Sequence, residues 1–468
     1  MFANATWRRS ARIASAFGVS VAGVASINAA GPDIICSRIQ NISSWNSSPT
    51  GPRVFSFGGD ICNIGDVNAV VNFSNNQHPV SGQALYRVAG DGRFEQLGTS
   101  WLFHQFCVLQ LNGCGTCAPA GAGCLSQLGL NCSSNDTSGA MGGQSNLGPR
   151  FEVNPSTGQF SFPFTAQGQS GSNDYKRLQV SADDLNPALN AGARYLAETQ
   201  FISPDDALAG NGFNNASSRE MLVMGIAPTW NLQQTGSTFV TESAIERWPT
   251  MTPGAVVVDV MVPGDGLFHA GAYVRDNGDQ TWTYNYAVHN LNSDRAAYAF
   301  SVEVPTNTEI TNVSFRDVDY HSGEPFTNVD WTPSNVGESF GWTADATFAE
   351  NPNANALRWG TTYSFRFVAD APPTSGTATI ELFKPGGVGA PASVIANLPV
   401  PSNPLVLGDM NCDGIVSVGD ISGFVLALTD PTGYAAAFPG CSILAADVNA
   451  DGVISVGDIA GFVALLTQ

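Results

Sequence analysis

Two twelve-residue stretches near the C-terminus carry the clearest chemistry in the chain. One runs Asp409-Met-Asn-Cys-Asp-Gly-Ile-Val-Ser-Val-Gly-Asp420, the other Asp447-Val-Asn-Ala-Asp-Gly-Val-Ile-Ser-Val-Gly-Asp458. Each places oxygen-bearing side chains at positions 1, 3, 5, 9 and 12 and glycine at 6. With that spacing an EF-hand-like loop surrounds a hard divalent cation. In the first loop Asp409, Asn411 and Asp413 are expected to point inward and the Ile415 carbonyl to add an oxygen. Ser417 would act through a water, and Asp420 would close the site from the start of a helix. Asp447, Asn449, Asp451, Val453, Ser455 and Asp458 repeat these roles. Three carboxylates in a roomy oxygen cage suit Ca²⁺ better than Mg²⁺. The expectation is two calcium ions. An ordinary Asp/Asn/Gly turn would explain one such loop, but the matched register of two argues against it.

Other residues offer chemistry with less definition. Seven of the nine cysteines lie early: Cys36, Cys62, Cys107, Cys114, Cys117, Cys124 and Cys132. In a reducing compartment Cys114-Gly-Thr-Cys117 would suggest zinc or redox work, whereas outside the cell it reads as part of a disulfide-stapled loop. Seven is odd, so one thiol stays free, pairs with the C-terminal module or pairs between chains. His78 and His104 are each eligible as a general base or metal ligand, although isolated histidines are more often structural. Asp317, Asp319 and His321 would share one face of a strand, with Glu324 close behind, so a metal or catalytic role competes there with a plain solvated strand end. Glu95, Glu152 and Glu198 are available as paired carboxylates, but glycosidase acids come from distant segments and leave no spacing signature. No Gly-x-Ser-x-Gly, His-Glu-x-x-His or phosphate-binding loop occurs.

The elements that must position these groups are mostly strands. Fifty glycines, many turn residues and short aromatic or β-branched runs predict a mainly β chain. Residues 31–250 read as a cysteine-bearing β-rich domain. Residues 251–385 read as an immunoglobulin-like β-sandwich, with strands at Phe268–Arg275, Trp282–Val288, Tyr298–Val304, Ile310–Phe315, Ser339–Trp342, Thr362–Phe367 and Thr377–Phe383. The alternating Trp282, Tyr284 and Tyr286 are read as a core face, with an exposed platform for sugar rings as the sharper alternative. Gly, Pro and Ala in 386–404 predict a linker, and 405–468 would be a small α-helical module. Arg8, Arg9 and Arg12 followed by a mildly apolar run and Asn28-Ala-Ala30 predict a signal peptide over 1–30, hence bacterial export to the medium or cell surface. No other segment is apolar and long enough to span a bilayer. With 19 basic residues against 39 acidic, only two of them lysines (Lys176 and Lys384), nucleic acid is an unsuitable partner.

Each loop is followed by one short apolar segment, Ile421-Ser-Gly-Phe424-Val-Leu-Ala-Leu428 and Ile459-Ala-Gly-Phe462-Val-Ala-Leu-Leu466. A loop followed by a single helix, with Asp at position 12, resembles a type I dockerin over roughly residues 405–468. That resemblance implies a small, calcium-dependent α-helical module and a protein partner. Dockerins dock onto cohesins, but the tenth and eleventh loop positions here are Val418-Gly419 and Val456-Gly457 in place of hydroxyl side chains. The calcium chemistry carries over and a cohesin is not specified. A domain of this size is near the lower limit for a self-sufficient core, so its folding is expected to be coupled to the metal. Cys412 and Cys441 are expected to add a disulfide across the module. Two functions remain: a non-catalytic binding or surface-structural protein attached through this tail, or a polysaccharide-degrading hydrolase carried by it.

Overall fold

The computed structural model describes residues 30–45, 51–306, 308–402, 405–438 and 441–467. The expected signal peptide lies outside these residues, except for Ala30. The chain is mainly β. Its strands form four large antiparallel sheets and one two-stranded ribbon. No described helix is long and apolar enough to cross a membrane.

In the first region a four-stranded sheet is built on Arg53–Asn63, which pairs with Ile34–Ser44, Ser133–Asp136 and Leu178–Val180. Beside it lies a seven-stranded sheet centred on Val80–Val88 and Arg194–Ile202, paired without a break from Val80–Ile202 to Val88–Arg194. Phe55, Phe57 and Ile61 of the first sheet pack on Leu85, Ala197 and Phe201 of the second.

The sandwich consists of two five-stranded sheets. One runs Val256–Met261, Leu267–Asp276, Trp282–Asn290, Thr362–Ala369, Ile310–Arg316; the other runs Thr332–Val336, Ser339–Thr343, Ala297–Glu303, Pro373–Leu382, Ser393–Pro401. Tyr284, Tyr286, Phe300, Trp342, Phe365 and Phe367 fill the space between them. Tyr284 and Tyr286 are fully buried, so the aromatic stripe is core and offers no platform to a sugar.

The two regions share a further apolar layer. Tyr86, Phe94 and Leu196, from the far face of the seven-stranded sheet, meet Trp248 and Ala287. Successive residues of a strand face opposite sides, so Leu85 serves one core while Ala84 and Tyr86 serve another. This explains why Val80–Val88 is buried at every position.

Two expectations are corrected. Residues 393–401, assigned to a linker, form an edge strand paired with 373–381. Val394, Ala396, Leu398 and Val400 turn inward, and Pro399 and Pro401 are tolerated because an edge strand has N–H groups to spare. The strand carrying Ile310 ends at Arg316, so Asp317, Asp319 and His321 sit on irregular chain and share no strand face.

Candidate functional sites

The duplicated loops share most of their hydrogen bonds. Position 4 is left-handed in both, with φ 58° at Cys412 and 56° at Ala450, and the glycines follow at 86° (Gly414) and 83° (Gly452). Asp409 Oδ2 accepts from Gly414 N, as Asp447 Oδ2 does from Gly452 N, each at 2.9 Å. Asn411 accepts from Asp413 N, and Asn449 from Asp451 N. Asp413 accepts from Ile415 N, and Asp451 from Val453 N. Ser417 with Asp420, and Ser455 with Asp458, form capping boxes at the first turn of each following helix. These bonds curl each loop around its own acidic side chains.

One atom in this arrangement has no partner. Asp409 Oδ1 is buried and accepts no hydrogen bond. Its carboxyl is pushed above the usual carboxylate range, first by burial and then by the charges of Asp420 and Asp413. An orphaned buried oxygen among like charges is the environment a cation would relieve. Among the described residues no three His, Cys, Asp or Glu side chains already converge as a metal cluster. In these loops Asn411, Asn449, the serines and backbone carbonyls add further oxygens beside the aspartates. The donor set, all oxygen, fits a hard cation.

Behind the loops, Phe424 stacks on Phe462 with ring centroids 4.0 Å apart and planes 2° from parallel. The buried ridge of the first helix is Gly423, Phe424 and Ala427. Gly423 lies so close to the loop that an added Cβ would stand 2.7 Å from Met410 Cβ. Ile421 and Val425 are 43% and 51% exposed, because they lie on the far side of that ridge. Ile459 and Val463 repeat this, and Val418 and Val456 are also bare. Cys412 and Cys441 are disulfide-bonded, as expected.

In the first region the disulfides are Cys62–Cys114, Cys107–Cys124 and Cys117–Cys132. The odd thiol is Cys36, buried and unpaired. All five clustered cysteines are therefore engaged as disulfides, which removes them as zinc or redox ligands in this state.

His78 and His104, 26 residues apart, are brought together. His78 Nε2 lies 3.0 Å from His104 Nδ1. His78 Nδ1 faces the carbonyls of Asn72 and Asn75, so it donates there, and His78 Nε2 accepts from His104. His104 Nε2 is then left buried without a partner. Phe160 and Phe164 cover the pair, and burial holds both imidazoles below their ordinary range. The pair is buried in the core. Glu198 is also buried, accepting from Tyr86 Oη and Ala244 N, and burial pushes it up to about 7. Glu95 is ion-paired to Arg87 and Arg93, and Glu152 binds Thr165. These three glutamates do not meet.

The weaker acidic candidates line a cleft of about 720 Å³ between the first region and the sandwich. Asp183 and Asp184 stand on one wall, Asp317, Asp319 and His321 on the other. Asp184 is held by Arg87 and Arg316. Asp317 accepts from Asn355 Nδ2, and burial pushes its carboxyl up to about 6. His321 Nε2 donates to the Thr99 carbonyl at 2.9 Å, which leaves Nδ1 to accept from Gln179 and Ser322. The ring is a strut across the boundary. Glu324 lies deeper, accepting from Arg150 N and pushed up to about 7 by burial.

No protein-family model matches the chain, and no curated protein does. Among solved structures, the exo-chitosanase CsxA of Amycolatopsis orientalis is 10% identical over 73% of this chain and 25% of its own, with a TM-score of 0.16. A further structure of CsxA, described as an exo-β-D-glucosaminidase with an inhibitor, is 11% identical over 78% and 26%, with a TM-score of 0.15. The chain thus spans about a quarter of these proteins' length, at a likeness that assigns neither fold nor function.

Proposed function

We propose that the chain is an exported, non-catalytic binding or surface-structural protein, attached to a protein partner by a dockerin-like tail that folds around two calcium ions. The observation that carries this is the buried, partnerless Asp409 Oδ1 in the first loop; the second loop repeats the aspartate-to-glycine bond, while its Asp447 Oδ1 accepts from Asp451 N. Asp409, Asn411, Asp413, Ile415, Ser417 and Asp420 would hold one ion, and their counterparts in the second loop the other. The ion would supply charge neutralisation and so tie folding of the tail to calcium. The bare Val418, Ile421, Val425, Val456, Ile459 and Val463 support a protein partner, since monomers rarely leave such apolar sets uncovered. Four disulfides in the chain support an oxidising compartment, and with it export.

The second reading, a polysaccharide hydrolase, rests on the acidic cleft, where Asp317 with its weakened acidity could serve as a proton donor. Against it stand the engagement of Asp184 in two ion pairs and of His321 as a strut. The test is depletion of the full chain from suspensions of insoluble polysaccharides, with released reducing ends measured in the same tubes. Depletion without release is the expected result. Release that Asp317→Asn abolishes would replace this reading with the hydrolase.

A further inference from the structure

The first region holds a second cleft, of about 620 Å³, that none of the preceding chemistry uses. Two arginines, Arg38 and Arg219, are among the residues that line it. In a chain with 39 acidic residues against 19 basic ones, two arginines in one cleft form an uncommon concentration of positive charge. Arg38 is matched: its Nε and Nη2 reach Asp60, which Gln40 also holds. Arg219 is not. Its Nη1 donates to the Ile39 carbonyl and its Nη2 to the Gly236 carbonyl, its Nε is buried without a partner, and among the described residues no carboxylate pairs with it. The cleft therefore keeps one uncompensated, rigidly held cation.

Its walls are rigid as well. One is the loop at Asn112, tied to the Arg53–Asn63 strand that carries Asp60 by the Cys62–Cys114 disulfide and stapled within itself by Cys107–Cys124 and Cys117–Cys132. The other is the segment around Thr238, whose hydroxyl is fixed by Ile39 N. Asn112 and Asn135 are exposed at the rim. A fixed guanidinium recognises a planar or tetrahedral anion through paired N–H donors, and amide and hydroxyl side chains around it suit a ligand rich in hydroxyl groups.

We infer that this cleft binds an anionic saccharide, with Arg219 taking the acidic group and Asn112 and Asn135 the sugar hydroxyls. The inference deepens the binding role proposed for the body and is independent of calcium in the tail. Calorimetry on the full chain should use three probes: an oligogalacturonide, a sulfated galactan oligosaccharide and a neutral xylan oligosaccharide. Binding is expected for one of the two charged probes and to be at least tenfold weaker for the neutral one. Arg219→Met should weaken it at least tenfold, and raising NaCl from 50 to 500 mM should weaken it further. Asn135→Ala, at the exposed rim, should weaken it several-fold and guards against a folding defect in the arginine variant. Equal binding of the neutral probe, or unchanged binding by both variants, would overturn the anionic cleft while leaving a binding role elsewhere on the body. No binding of either charged probe would overturn the inference outright, and the calcium reading would stand or fall separately.

Discussion

At the residue scale the molecule separates groups whose charge is suppressed by burial from groups held in use. Glu198 is the clearest of the first kind. Its carboxyl titrates from an ordinary 4.5 up to about 7 in the fold. Between those values the folded state holds a proton that the unfolded state releases, so stability is fullest at low pH and is lost as pH rises through the window. Glu198→Gln removes that dependence. Relative to the parent, the variant should gain on the order of 3 kcal/mol between pH 5 and pH 8, read as a rising difference in Tm. A constant difference would contradict the burial argument. Among the histidines the signs differ. His104 is held low by burial and by its neighbours His78 and Lys176, whereas for His269 burial is outweighed by the hydrogen bond to Asp259 together with the charges of Glu246, Asp259 and Glu198, and the ring is raised. A nuclear magnetic resonance titration should find His269 protonating above the ordinary imidazole range and His104 below it. Neither pairing was legible in sequence. His78 and His104 are 26 residues apart, and Asp259 meets His269 across a strand pair whose register no local pattern reveals.

At the element scale, reading the sequence worked where residues alternate. All seven strands expected in the sandwich are present, from Leu267–Asp276 to Pro373–Leu382, with ends shifted by a few residues. Three strands escaped. Thr332–Val336 is polar and contains Pro333, Ser393–Pro401 has the Pro and Ala content of a linker, and Val256–Met261 shows no clean alternation. Their strand character comes from pairing partners. The acidic cleft was equally hidden, because residues 179–184 and 316–321 meet only after the two regions dock. The two duplicated loops were legible because all their oxygen-bearing positions are local. Two expectations follow for the elements of the tail. Gly423→Ala should lower the tail's melting temperature, at a cost of about 1–3 kcal/mol, because the new methyl group runs into Met410. Cys412→Ser with Cys441→Ser should raise the calcium concentration needed to order the tail several-fold, since a disulfide removes unfolded-state entropy. Unchanged titration of that double variant would show that the bridge does not assist the loops.

At the scale of the whole molecule, the shared apolar layer makes the β body one cooperative unit. Tyr86, Phe94 and Trp248 are covered only when the seven-stranded sheet and the sandwich are both present. A fragment of residues 31–250 should therefore bind a hydrophobic dye and aggregate, while residues 31–402 stay soluble and melt in one transition. The tail has its own core around Phe424, Tyr434 and Phe462. On the proposed reading it should melt separately and follow calcium, since a core this small is the one a bound ion would complete.

The most direct test of the central claim is a calcium titration of the full chain by calorimetry, with circular dichroism at helical wavelengths followed in parallel. The expected result is two bound ions per chain, a gain of helix on binding, and loss of both in the Asp413→Ala, Asp451→Ala double variant while the β signal is unchanged. A parent chain that takes up no calcium, or a double variant that binds it as well as the parent, would contradict the account.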